Sequence, residues 1–182
     1  METMRGLPGD AEDEQSRYLE ADVFGLRVAC IYLPNGNPLP GPKFDYKLAW
    51  MKRLRTRMTD LMALEIPAIV TGDYNVIPRD CDVWQPKAMA EDALMQPQSR
   101  DAYATLLADG WTDALASHYP AGGIWTYWDY QAGAWQRDLG FRIDHALLSP
   151  EAADRLVACG VDKDHRGREK ASDHAPMWVE LR

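Results

Sequence analysis

The most constraining stretch of this chain is Ile66-Pro67-Ala68-Ile69-Val70-Thr71-Gly72-Asp73-Tyr74-Asn75-Val76-Ile77-Pro78. The mostly β-branched run from Ala68 to Thr71, bounded by Pro67 and Gly72, predicts a strand buried on both faces. Such a strand is the spine of a sheet. Gly72 lets the chain turn, and Asp73 and Asn75, two apart, project from one side of an extended segment. A carboxylate and a carboxamide therefore stand together just past a strand's carboxyl end, where α/β sheets gather functional groups. An Asx-type turn uses the same two residue types, and both readings stand on these residues alone.

A chain of 182 residues with 46% hydrophobic content suffices for one domain with a full core and is too short for two of ordinary size. No run approaches the roughly 20 apolar residues that span a bilayer, and the polar, acidic start lacks the plan of a signal peptide, so a cytoplasmic protein is expected. Cys30, Cys81 and Cys159 have neither CxxC nor Cys/His zinc spacing and read as reduced thiols in or near the core. The net charge of −8 argues against binding nucleic acid through bulk positive charge, though acidic groups around a divalent cation would add to that sum without repelling a polyanion.

Residues 1–15, with Gly6, Pro8, Gly9 and many acids, read as a solvated lead-in. Tyr18 to Val23 and Leu26 to Tyr32, joined at Phe24-Gly25, predict an antiparallel pair whose second strand carries Tyr32 at its end. Phe44 to Met62 predicts an amphipathic helix with Trp50, Leu54, Met58, Leu61 and Met62 inward and Lys52, Arg53, Arg55 and Arg57 solvated. Residues 80–96 read as a long surface loop. Ser99 as N-cap, with Tyr103, Leu106 and Leu107 and a stop at Gly110, predicts a short helix, followed by a turn over 111–114.

Five aromatics fall between Trp125 and Trp135. Strand alternation would set Trp125 and Tyr127 against Trp128 and Tyr130, more rings than one core face accepts. Aromatics beside Arg137 and Arg142 suit stacking on bases or wedging into an opened duplex; a sheet edge with aromatic cover is the other reading. Phe141 to Leu148 predicts a second apolar strand enclosing Asp144, a carboxylate that needs a partner. Ser149-Pro150 caps a helix expected to run to Gly160, and Met177 to Leu181 is the closing strand, entered through Asp173 and His174. A histidine near a buried aspartate is oriented to take a proton.

GDYN, the YLPNG turn, WTYWDY, GFRIDH and SDHAP, in this order, closely resemble the exonuclease III family of DNA-repair nucleases, within the endonuclease/exonuclease/phosphatase superfamily, from about Leu7 to the end. The resemblance implies a four-layer α/β sandwich, two mixed sheets face to face with helices outside, in one domain over residues 1–182. It further implies a monomer acting on double-stranded DNA at abasic sites or 3′ ends, as an apurinic/apyrimidinic endonuclease, 3′-to-5′ exonuclease and 3′-phosphatase.

By resemblance His174, oriented by Asp144, activates or positions water. Asp73 orients the nucleophile or protonates the leaving oxygen, Asn75 locks the scissile phosphate and Tyr32 contacts it. Asp173 resembles a ligand of Mg²⁺ or Mn²⁺, with a second metal placed by some accounts near Asp73, Asn75 and His174. Tyr127, Trp128, Phe141 and Ile143 match a pocket for an extrahelical abasic sugar, and Arg142 lies among these DNA-facing positions. Family members begin with a strand ending in asparagine, a helix and a strand carrying a metal-binding glutamate. Neither strand is found here, so a sandwich incomplete at its N-terminus, with impaired activity, is the expectation. A superfamily phosphodiesterase acting on lipid or inositol phosphate, and a non-catalytic DNA-binding remnant, are the alternatives.

Overall fold

The computed structural model describes residues 1–182. Its spine is the expected strand, β4 (Ala68–Asp73), inside a six-stranded sheet built with β1 (Glu2–Arg5), β2 (Tyr18–Val23), β3 (Leu26–Tyr32), β5 (Thr112–Asp113) and β6 (Asp144–Leu148), in the order β1-β2-β3-β4-β6-β5. β3 and β4 run parallel, and the other neighbours are antiparallel. The parallel step is possible because α1 (Pro42–Met62) crosses over between the two strands. A second sheet pairs β7 (Leu156–Val161) with β8 (Met177–Leu181).

Side-chain alternation divides β4 between two cores. Ala68 and Val70 join Ala29 and Ile31 beneath Trp50, Leu54, Met58 and Leu61 of α1 and Tyr103 and Leu106 of α2 (Pro97–Ala108). Ile69, with Ala146 and Leu148, faces the second sheet through Cys159, Leu156 and Val179. The layers thus run helices, six-stranded sheet, two-stranded sheet, a mixed α/β sandwich with its sheets face to face. On the outer side of the small sheet Val157 and Trp178 are exposed.

Gly72 fixes how β3 and β4 meet at the functional end. Its φ is 135°, and a Cβ there would lie 2.1 Å from the carbonyl oxygen of Ile31, so only glycine fits. The next rung sets Tyr32, Asp73 and Asp144 in one row across β3, β4 and β6.

Several local expectations are corrected. Residues 2–5 form β1, Leu7 is buried in the main core, and Asp13 accepts from Arg53 at 2.7 Å, so the lead-in, though mostly exposed, is anchored at these points. The basic side of α1 is likewise engaged: Arg57 binds the fully buried Glu20, and Arg55 binds Asp109. Residues 80–96 bury Asp82 and Val83 at one end and Ala93, Leu94 and Met95 at the other, so the surface loop expected there is confined to the exposed middle of the segment. Ser99 lies inside α2, its hydroxyl donating to the Ala93 carbonyl, because Pro97 begins the helix.

The turn expected at 111–114 is instead β5 and the start of α3 (Ala114–His118), with the Asp113 carboxylate as the helix cap. Ser149 caps α4 (Pro150–Ala153), but that helix ends early and Gly160 sits inside β7, where the Trp178 ring covers it too closely for a Cβ. Cys30 is exposed, Cys81 intermediate and Cys159 buried. No helix is long and apolar enough to cross a membrane.

Candidate active site

The site is assembled at the carboxyl end of β4. Asn75 follows Asp73 with φ at 47°, in the left-handed region that asparagine tolerates better than most residues. That bend lets one carboxylate hold both groups of the next-but-one residue. Asp73 Oδ1 accepts from the Asn75 backbone N–H at 2.8 Å, and Oδ2 accepts from Asn75 Nδ2 at 3.0 Å. The Asx turn and the paired functional groups are thus one structure. The other Nδ2 hydrogen goes to the Leu33 carbonyl at 2.9 Å, and Asn35 Nδ2 donates to Asn75 Oδ1 at 3.0 Å. Every polar atom of the Asn75 amide is committed.

Asp144 opens β6 rather than lying within a longer strand, so it is half-buried and reaches the sheet's edge. Its Oδ2 lies 2.8 Å from His174 Nδ1, which leaves Nε2 of that ring free for a proton. Thr126, fully buried, accepts the backbone N–H groups of Ile143 and Asp144 on its hydroxyl, each at 3.1 Å, while its carbonyl accepts from Ala175 at 2.8 Å. One threonine therefore ties the loops that present Asp144 and His174. Thr71, Gly72, Asp144, Ser172, His174 and Met177 line an open cleft of about 370 Å³ here.

The electrostatics separate the titratable groups. Burial, reinforced by the charge of Asp144, raises the Asp73 carboxyl to about 7, against the opposing pull of the Asn75 N–H, His174 and Lys47. Burial alone would lower His174, but the hydrogen bond and charge of Asp144, helped by Asp73 and Asp173, carry it above the ordinary imidazole value. A carboxyl raised towards neutrality beside an oriented imidazole is an arrangement able to work as an acid and base pair. Burial lowers Lys47 to about 7, with Asp92 and Asp73 opposing.

Tyr32 sits in the same row but is half exposed, with the Arg17 guanidinium over its ring at 4.7 Å. The aromatic segment is not a regular strand: Tyr127 makes single bridges to Phe141 and to His174. Its ring lies 4.6 Å from that of Phe141 and 5.1 Å from the His174 imidazole, and burial followed by Asp129 and Asp173 pushes its phenol up to about 12. Tyr127 and Phe141 thus form an aromatic wall beside the Asp144–His174 pair.

Ile143 packs behind that wall, whereas Trp128 packs on Trp135. Trp128 is fully buried with its indole N–H on Asp138, and Ile143 belongs to the core around Val83 and Leu94. Arg142 corrects the sequence reading outright. It is 1% exposed, forks onto Asp82 at 3.0 Å through Nε and Nη2, and donates to Asp113 at 2.7 Å, so it cannot face DNA.

No three of the His, Cys, Asp and Glu side chains converge closely enough to hold a metal ion between them. Asp73, Asn75 and His174, expected as ligands, are committed to one another and to Asp144, and Asp173 beside them accepts only a 3.4 Å contact from Ser172. This chain's side chains do not close a donor set around an ion. Asn35, Lys47 and Thr126 were missed by sequence reasoning. Lys47 carried a signal, because a cation falls on the spacing that otherwise reads Phe44, Met51, Leu54, Met58 and Leu61.

A model of the endonuclease/exonuclease/phosphatase family matches residues 4–174. Among curated proteins, the chain is 32% identical over 190 residues to exodeoxyribonuclease III of Haemophilus influenzae, covering 98% of this chain and 71% of that protein. It is 28% identical over 178 residues to an exodeoxyribonuclease of Bacillus subtilis, covering 97% and 68%. Among solved structures, a Neisseria 3′ phosphatase bound to a product DNA hairpin superposes with a TM-score of 0.95 at 37% identity, covering 98% of this chain and 70% of that one. An AP endonuclease from Archaeoglobus fulgidus gives 0.92 at 34% identity, covering 98% and 69%.

Proposed function

This chain belongs to the endonuclease/exonuclease/phosphatase family, and from that premise we propose that it is a DNA-repair nuclease hydrolysing phosphodiesters at abasic sites and at 3′ ends. One observation carries the reading: the Asp144–His174 pair at 2.8 Å, beside Asp73 and Asn75 at the end of the central strand. The nuclease relatives do not favour a lipid or inositol phosphate substrate.

In this reading His174 Nε2 accepts the proton of the attacking water, with Asp144 fixing the tautomer and stabilising the imidazolium. Asp73, holding a proton near neutrality, gives it to the departing sugar oxygen. Asn75 holds the Asp73 carboxyl in place, Tyr32 borders the phosphate from β3, and Tyr127 with Phe141 supplies an apolar wall against which a sugar without its base can rest.

The family is a divalent-metal-dependent class of nucleases. We infer that its ion here is Mg²⁺ or Mn²⁺, a hard cation that would draw its oxygen ligands mainly from the phosphate and water, since Asp173 is the one carboxylate of the site without a firm hydrogen bond. Such a cation would supply charge neutralisation at the phosphate, and each proton transfer above belongs to a protein group.

The test incubates the chain with a duplex carrying one abasic site, and with a recessed 3′ end, in Mg²⁺, in Mn²⁺ and in EDTA. Strand scission with either ion, abolished by EDTA and by His174→Ala, is the expected result. Duplex binding with no scission at enzyme excess would overturn the reading.

A further inference from the structure

We propose that Lys47 is a positioning residue for this nuclease: its ammonium pins the three loops that hold Asn75, and through Asn75 the Asp73 carboxyl, in reactive geometry. The inference rests on the function proposed above.

Lys47 is fully buried on α1. Its Nζ donates to the carbonyl of Asn75 at 2.5 Å, to that of Asn35 at 3.1 Å and to that of Ala93 at 3.5 Å, so three N–H groups meet three backbone acceptors from three separate loops. Two of those acceptors belong to residues that already grip one another, since Asn35 Nδ2 donates to Asn75 Oδ1. The third loop is tied in again by the Ser99 hydroxyl on the Ala93 carbonyl. The stem is enclosed as tightly as the head: a Cβ at Gly36, where φ is 94°, would lie 2.7 Å from Lys47 Cδ and 3.2 Å from Ala93 Cβ.

A buried ammonium is a poor device for stability, because an apolar side chain of the same shape removes its desolvation cost. What the ammonium does that a methyl cannot is aim a carbonyl. Asn75 is held at φ 47°, a left-handed conformation that persists only where its surroundings over-determine it. Lys47 fixes the Asn75 carbonyl, while Asp73, Leu33 and Asn35 fix its amide. Without the ammonium, the peptide after Asn75 is free to rotate and the amide to leave Asp73.

The test uses Lys47→Met, which keeps the stem and removes the donors, and Lys47→Gln, which keeps one donor on a shorter stem. Three quantities are measured: thermal unfolding, kcat and KM on an abasic duplex, and hydrogen exchange of the assigned Asn75 side-chain amide by NMR. The expected result is a Tm for Lys47→Met within a few degrees of native, kcat lower by roughly 10–100-fold with KM within about twofold, and Asn75 amide exchange about tenfold faster, with Lys47→Gln between. A folded Lys47→Met with native kcat, or with unchanged Asn75 exchange, overturns the proposal, as does failure of both variants to fold. If the native chain cleaves no DNA, the function proposed above fails, and the Asn75 exchange measurement still decides the role of Lys47.

Discussion

Asp73 and Asp144 are paired in register across β4 and β6, and the second of these carboxylates holds the His174 imidazole at 2.8 Å. Two acids side by side in a half-buried row do not share one role: Asp144 is matched by a ring that accepts positive charge, whereas Asp73 is matched by an amide and a backbone N–H. Asp144→Asn removes the anion that orients His174 and stabilises its charged form. We expect kcat on an abasic duplex to fall by about 10²–10⁴-fold with the fold intact, the range seen when a base loses its orienting carboxylate. A loss under fivefold would show that His174 needs no such partner.

Gly72→Ala probes the joint that sets this row. A Cβ at that position meets the Ile31 carbonyl at 2.1 Å, at a φ of 135° that alanine does not adopt without strain. β3 and β4 would have to part just where Tyr32 and Asp73 align. We expect destabilisation of roughly 2–4 kcal/mol by urea titration, and a drop in kcat for the fraction that folds. Native stability in the variant would contradict the register described.

Arg142 separates a structural cation from a DNA-binding one. Its guanidinium is enclosed by Asp82 and Asp113, so Arg142→Ala leaves the buried Asp113 without its cation and Asp82 with Arg79 alone, and should cost about 3–5 kcal/mol. The slope of log Kd for duplex DNA against log salt should stay at the native value, since no phosphate contact is lost. A slope smaller by about one would place Arg142 on the DNA after all.

The fold's spine was legible because its signals are local, whereas the grouping of the candidate site residues came from the resemblance of their motifs. β-branched residues ending in Gly72 mark β4, a 3.6-residue stripe marks α1, and Asp73, Asn75, Asp144 and His174 each stand beside a strand signal. What was not legible depends on partners far along the chain. Arg142 looks like a DNA-facing cation next to aromatics until Asp82 and Asp113, 60 and 29 residues away, enclose it. Gly160 reads as a helix stop because nothing nearby announces that the Trp178 ring will lie on it. Residues 80–96 lack periodicity since they pack through short 3₁₀ turns, which leave no repeat to read.

His145, adjacent to Asp144 but on the opposite side of β6, gives the pH prediction. It is fully buried against the rings of Tyr74 and Tyr103, with Nε2 2.9 Å from the Val76 carbonyl and Nδ1 2.7 Å from Arg142. Burial and then Arg142 lower its pKa to about 4, while Asp113, the Val76 carbonyl and Asp144 oppose the shift. A folded-state value below the unfolded one means that unfolding takes up a proton. The contribution of neutral His145 is therefore complete above the ordinary value of 6.5 and is lost as pH falls towards 4, at most about 3 kcal/mol. Asp73 works in the opposite sense over much of this window: raised to about 7 when folded, it adds stability as pH falls from there towards its ordinary 3.8. The informative quantity is consequently the difference between native protein and His145→Gln, which keeps a donor and an acceptor but does not titrate. Urea titrations between pH 7.5 and 4 should show the native protein losing more stability on acidification than the variant, by roughly 1–3 kcal/mol. Parallel curves would mean that His145 is protonated in the folded state near its ordinary pH, and that its ring pairs with Asp113 instead of yielding its charge to Arg142.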